Sequence, residues 1–235
     1  IGYDSNLFRL SDLDLEVDNN NTIINSDTFD SGYITPKLQV SYSPYLLNGI
    51  KTEFNFSFSR NHYFSSEEKS YNTFSSDLGL KLGSYQWIKI SHRFTPKYYL
   101  RNYFDHDYSY FDNKVCTFSI ENLSVSYSHP ITNRSWSRVK ISQTNFLYNS
   151  HFTEYDTRIS LIELRHYFKL LKFSNNVWYS YSNGNNISYD SGYFSTSVDR
   201  SYYEHNIGLS GKIRGKDIIK SNSIHYFGFS LILKN

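Results

Sequence analysis

From Ile34 to Tyr42 one parity of the chain reads Ile34, Pro36, Leu38, Val40 and Tyr42, and the other reads Thr35, Lys37, Gln39 and Ser41. Successive side chains of a β-strand point to opposite faces, so this two-residue period predicts a strand with one apolar and one polar face. The period returns down the chain. Phe54, Phe56 and Phe58 alternate with Glu53, Asn55, Ser57 and Ser59, and Leu78, Leu80 and Leu82 with Asp77, Gly79, Lys81 and Gly83. Ile88, Ile90 and Phe94 oppose Lys89, Ser91, Arg93 and Thr95; Val139 and Ile141 oppose Arg138, Lys140 and Ser142; Ile207 and Leu209 oppose Glu204, Asn206, Gly208 and Ser210. Strands are expected near 1–10, 32–44, 50–61, 72–83, 86–100, 114–128, 136–148, 154–168, 174–183, 200–212 and 218–233. Asp12 to Asp18 alternates as well and offers a further strand, whereas Leu161, Leu164, Phe168 and Leu171 fall at helical spacing, so a helix competes over 157–172.

The connections predict an up-and-down path with two unlike ends. Pro44–Gly49, Gly83–Gln86, His129–Ser135 and Lys212–Lys216 are tight, while 11–31, 60–72, 102–113 and 183–200 are long and polar. Aromatic residues gather at both ends: Tyr42, Tyr45, Tyr85, Trp87, Tyr127 and Trp136 beside the tight turns, and Tyr63, Tyr71, Tyr98, Tyr148 and Tyr203 among those beside the long loops. Short turns at one rim, long loops at the other and two aromatic girdles are the pattern of a transmembrane β-barrel.

Composition narrows the choice. The 235 residues hold 23 Tyr and 18 Phe but no Met and no Ala, so the best helix formers are missing and a helical bundle is excluded. The net charge of +2 lacks the basic excess of a nucleic-acid binder. Cys116 is the only cysteine, which excludes an intrachain disulfide and a Cys-based zinc site. No apolar run approaches the roughly 20 residues of a membrane-spanning helix. The opening residues from Ile1 carry neither the basic nor the apolar region of a signal peptide, so a leader, if the protein has one, is expected to have been removed or to lie outside this sequence.

Candidate chemistry is sparse. The polar parity carries Lys37, Lys81, Lys89, Arg93, Lys97, Arg138 and Lys140 against Glu53, Asp77 and Glu204, a basic excess that favours anions if the face lines a pore. Asp12, Asp14, Glu16 and Asp18 share one strand face and are the weak candidates for a metal ion, although extended spacing separates them too far for one compact site. No cofactor is expected.

Three short segments resemble known families. Tyr226-Phe227-Gly228-Phe229-Ser230-Leu231-Ile232-Leu233 looks like the terminal-strand signal by which bacterial outer-membrane barrels are recognised for assembly. Gly2-Tyr3-Asp4-Ser5-Asn6 resembles a stretch near the first strand of several such barrels, including that of surface lipoprotein assembly modifiers. Ser182-Asn183-Gly184 is similar to the Ser-Asn-Gly of outer-membrane phospholipases, in which a His two residues earlier is the base; Ser180 stands there in this chain.

The expected protein is therefore all-β, one domain over 1–235, an antiparallel up-and-down transmembrane β-barrel of about 10–12 strands in a bacterial outer membrane. Its expected role is non-enzymatic, as a narrow channel or a scaffold for a partner complex. Outer-membrane lipid and other envelope proteins are the expected partners, and nucleic acid is not. A lipid hydrolase is the alternative and a soluble β-sandwich binding module the third reading.

Overall fold

The computed structural model describes residues 2–4, 31–46, 50–65, 67–103, 114–170, 173–189, 198–214 and 226–234. Among these residues the chain is β-strand throughout, apart from turns and short 3-10 turns at Glu67–Lys69 and Thr153–Tyr155. The strands are β1 (Gly2–Asp4), β2 (Ser31–Ile34), β3 (Lys37–Tyr42), β4 (Tyr45–Leu46), β5 (Ile50–Tyr63), β6 (Tyr71–Gly83) and β7 (Gln86–Tyr103), then β8 (Lys114–Thr132), β9 (Ser135–Tyr148), β10 (Thr157–Leu170), β11 (Phe173–Asn186), β12 (Tyr202–Arg214) and β13 (Tyr226–Lys234). All belong to one antiparallel sheet in the order β1-β2-β5 and onward in sequence to β13, with β3 and β4 also paired to β5. The topology is up-and-down. Among the described residues no ladder joins β13 to the first strands.

Segments β2, β3 and β4 form one interrupted strand along β5. The interruptions fall at Pro36 and Pro44, which have no N–H to offer a ladder, and their carbonyls still accept from Arg60 N at 3.2 Å and Thr52 N at 2.9 Å. The chain has 4 prolines. The other two, Pro96 and Pro130, sit at register shifts, between Thr95 and Tyr98 in β7 and between Pro130 and Thr132 in β8. Every proline thus stands where the ladder breaks.

The helix that competes over 157–172 does not form; Thr157–Leu170 is strand β10, paired on both sides. Its apparent helical spacing arises because Leu161 occupies the polar face, between Ser142 and Ser182, while Ile162 and Leu164 occupy the apolar one. The possible strand at Asp12–Asp18 lies outside the described residues.

Register aligns the faces across the whole sheet. Phe54, Leu78, Ile90, Val125, Ile141 and Ile162 stand opposite one another from β5 to β10. The next row holds Leu80, Ile88, Tyr127, Val139, Leu164, Tyr179 and Ile207. The opposite face carries Glu53, Gly79, Lys89, Ser126, Lys140, Glu163, Ser180 and Asn206 in one row.

Burial is inverted relative to a soluble domain. Leu38 is 61% exposed, Val40 55% and Ile141 57%, whereas Ser128, Ser142, Ser180 and Ser182 are buried. The buried apolar side chains among the described residues are only Tyr99, Cys116 and Phe152.

Candidate functional site

The polar face is built from small hydroxyl residues with charged groups set among them. Lys81, Lys89, Arg93, Arg138 and Lys140 occupy ladder positions on this face, and Lys37 pairs with Ser59 at the β3 end of it. Lys97 holds no ladder position; it lies in the register shift between Thr95 and Tyr98 and is exposed. Sequence reasoning missed further charged members of the face, among them Lys51, Glu163, Arg165, Lys169 and Lys212. Lys51 and Lys212 lie beside connections that the sequence reads as tight, and the other three lie in the segment where a helical reading competed.

Glu163 is the electrostatic centre of the face. Its Oε1 accepts from Arg138 Nη2 and its Oε2 from Arg165 Nη2, each at 2.9 Å. Arg138 and Arg165 are directly opposite in the ladder, an arrangement that repels without a shared counter-charge. Glu163 supplies that charge, and as the middle member of a half-buried triad it loses little to solvent. Arg165 also lies over the Trp178 ring, 5.6 Å from its centroid, and Arg138 over Tyr167 at 5.8 Å. The Nε atoms of both arginines are buried without a hydrogen-bond partner. Elsewhere on the face Lys89 meets Asp77 at 3.2 Å and Lys51 meets Glu53 at 3.5 Å.

The three tryptophans share this face. Trp87 and Trp178 stand in the same row as Arg138 and Arg165, and Trp136 pairs with Tyr167 on the adjoining row. The positions of Trp87 and Trp136 beside the tight turns were legible, but the side of the sheet was not for any of the three, since an indole suits either environment.

Ser182 is buried on the polar face, between Leu161 and Glu204. The described strand histidines, His62, His92, His129, His166 and His205, all stand on the apolar face, where four bond to a neighbour: His92 to Glu121, His129 to Tyr127, His166 to Ser137 and His205 to Tyr179. None shares the face of Ser182, so among the described strand residues that hydroxyl has no imidazole base.

At the long-loop end a buried cluster ties two connections together. Asn186 Nδ2 donates to the carbonyl oxygens of Glu154 and Asp156, each at 2.8 Å, and Asn186 Oδ1 accepts from Arg200 N at 3.3 Å. Tyr148 N donates to Asp156 Oδ1 at 2.6 Å. The Glu154 carboxylate is wholly buried, and no other residue donates a hydrogen bond to either oxygen. Burial raises the pKa of Glu154, opposed by its own backbone N–H and by the charge of Arg200. Burial raises that of Asp156 too, against the Tyr148 hydrogen bond.

The metal candidates Asp12, Asp14, Glu16 and Asp18 lie outside the described residues. Among the described residues no group of three His, Cys, Asp or Glu is placed to hold a metal ion, and no helix is long and apolar enough to cross a membrane. Comparison of the chain with protein families, with curated proteins and with solved structures found no match.

Proposed function

We propose that this chain is a non-enzymatic β-barrel of a bacterial outer membrane, with the apolar face toward lipid and the polar face lining a narrow, anion-favouring lumen. The inverted burial carries the reading: rows of exposed aliphatic side chains cover one side of a sheet that buries serine on the other. In water such a face costs about 25 cal/mol per Å² of apolar surface left uncovered, and a hydrocarbon solvent removes that cost. Strands β5 to β12 run 13–19 residues, longer than the roughly 9–11 that a tilted strand needs to cross a bilayer.

Closure of β13 onto the first strands belongs to the proposal, because open edges cannot be satisfied in hydrocarbon. The excess of cations over Glu53, Asp77, Glu163 and Glu204 on the lumen face favours anions. A second reading, a plugged scaffold, is favoured by the Arg138–Glu163–Arg165 triad and the Lys89–Asp77 pair, which cross-link the same face.

Spin labels placed in lipid vesicles test the orientation. Labels at Val40, Ile90, Val139 and Ile141 should be quenched by lipid-soluble oxygen and labels at Ser57 and Ser91 should not; equal quenching on both parities overturns the reading. Planar-bilayer recording then separates pore from scaffold: anion-selective steps support the first and silence the second.

A further inference from the structure

At the tight-turn end a cleft of about 430 Å³ opens where β8, β9, β10 and β11 meet. We propose that this cleft is a binding site for a phosphate ester, with Arg134 and Lys169 holding the phosphate and the Trp136–Tyr167 stack forming the wall beside it.

The cations are brought together by backbone structure. Thr132 Oγ1 lies 2.8 Å from Ser135 Oγ and accepts from Arg134 N at 3.2 Å, which fixes the two-residue turn. The Arg134 carbonyl then accepts from Lys169 N at 3.0 Å, so the turn is fastened to the end of β10. Lys169 stands directly opposite Ser174, a hydroxyl that also lines the cleft. Both cationic side chains are exposed.

No acidic side chain lines the cleft. The first acid on this face of β10 is Glu163, three positions along the face from Lys169, and it is already held by Arg138 and Arg165. The neighbouring positions on β9 and β11 add Arg138, Asn176 and Trp178. Lys89 and Lys51 on this face are held by Asp77 and Glu53, whereas Arg134 and Lys169 share one concavity with no acid in its lining, a place for a mobile anion.

The wall is equally specific. Trp136 and Tyr167 stack at 3.7 Å between centroids with an 11° interplanar angle, and Tyr85 continues the stack at 5.9 Å and 19°. Tyr85 has φ of 56°, the left-handed region that non-glycine residues seldom occupy, and Ser128 Oγ pins its carbonyl at 2.8 Å. A tyrosine kept in that conformation retains the third ring at the cleft, a use of local strain found at binding sites. Guanidinium and ammonium groups recognise phosphate oxygens through charge-assisted hydrogen bonds, hydroxyls and amides satisfy the ester oxygens, and a flat ring packs against the organic part. A lipid headgroup and a soluble phosphate ester offer this same chemistry.

Calorimetric titration of the detergent-solubilised protein with glycerol phosphate, at ionic strength held constant with chloride, tests the site. Parallel titrations use nanodiscs containing phosphatidylglycerol and nanodiscs of phosphatidylcholine alone. Saturable binding of glycerol phosphate, weakened about tenfold in R134Q/K169Q and kept in K169R, supports the site with a soluble ester as ligand. Binding of phosphatidylglycerol alone, with the same loss in R134Q/K169Q, supports it with a headgroup as ligand. Both positions are exposed at a turn, and circular dichroism checks that the variants fold; if the double variant does not, R134Q alone is read in the same way. No saturable binding to either probe, or binding that the charge-removing variants leave unchanged, overturns the proposal. The titration in detergent does not rest on membrane insertion, so the site and the barrel reading fail separately.

Discussion

The indole of Trp178 lies directly over Gly208 on the neighbouring strand: a Cβ built at Gly208 would clash with Trp178 Cε2. Glycine here makes room for a ring that also carries Arg165 on its surface. Gly208→Ala should therefore push the indole aside and cost about 1–3 kcal/mol, the usual range for overpacking. Gly79→Ala is the control, since its nearest contact would be an ordinary 3.6 Å from Glu53 Cβ. Denaturant midpoints of the two variants measure the difference, and equal midpoints would contradict the packing described.

Glu154 gives the long-loop end a pH dependence whose sign is fixed by burial. Its pKa in the folded protein is raised above the ordinary 4.5. A carboxyl raised in the folded state contributes stability that is full below its unfolded pKa and is lost as pH rises through the folded value. Protection factors of the amides of Phe152, Tyr155 and Asp156, which close the 3-10 turn, should accordingly fall on going from acid to neutral pH. Glu154→Gln should flatten that fall.

Removing the shared carboxylate from the triad should be felt twice. Glu163→Ala leaves two facing guanidiniums without their acceptor, and about 2 kcal/mol of stability should go with the charged hydrogen bonds. Glu163→Gln keeps the volume and removes the negative charge. In planar bilayers its reversal potential under a salt gradient should move further toward that of the anion.

The two faces should tolerate charge very differently. Ile141→Arg puts a guanidinium in the middle of the aliphatic rows, where mid-bilayer placement costs about 2–4 kcal/mol. Insertion into lipid, followed by the heat-dependent shift in gel mobility, should be impaired. Lys140→Arg, one residue away on the other face, should insert normally.

The strands were legible because period-two alternation is a direct imprint of a sheet with unlike sides, and each expected segment from 32–44 to 218–233 coincides with a strand or overlaps one. The exception is instructive. In β10 the row position of Leu161 falls between two serines, so an aliphatic side chain fits on the polar face and the alternation is blurred. The triad was hidden for the same reason, since Glu163 and Arg165 belong to that blurred stretch. The cleft at the tight turns was not legible at all. Arg134 and Lys169 are 35 positions apart in sequence and meet only because β9 and β10 pair in one particular register. Buried Glu154 was invisible for a related reason, as nothing in a short polar connection says which carboxyl the neighbouring loop will cover.

The ladder order bears on how the chain assembles. Most ladders join segments that follow one another along the chain, so most pairings close only the turn or loop between them. The sheet can then lengthen by one hairpin at a time, each new strand finding its template already laid down. Joining the last strand to the first is the only step that would span the whole chain, and its entropic cost would come due once, at the end. An intermediate with two raw edges and one greasy side would await that step, while the tight Gly83–Gln86 and Thr132–Ser135 connections keep the earlier hairpin steps fast.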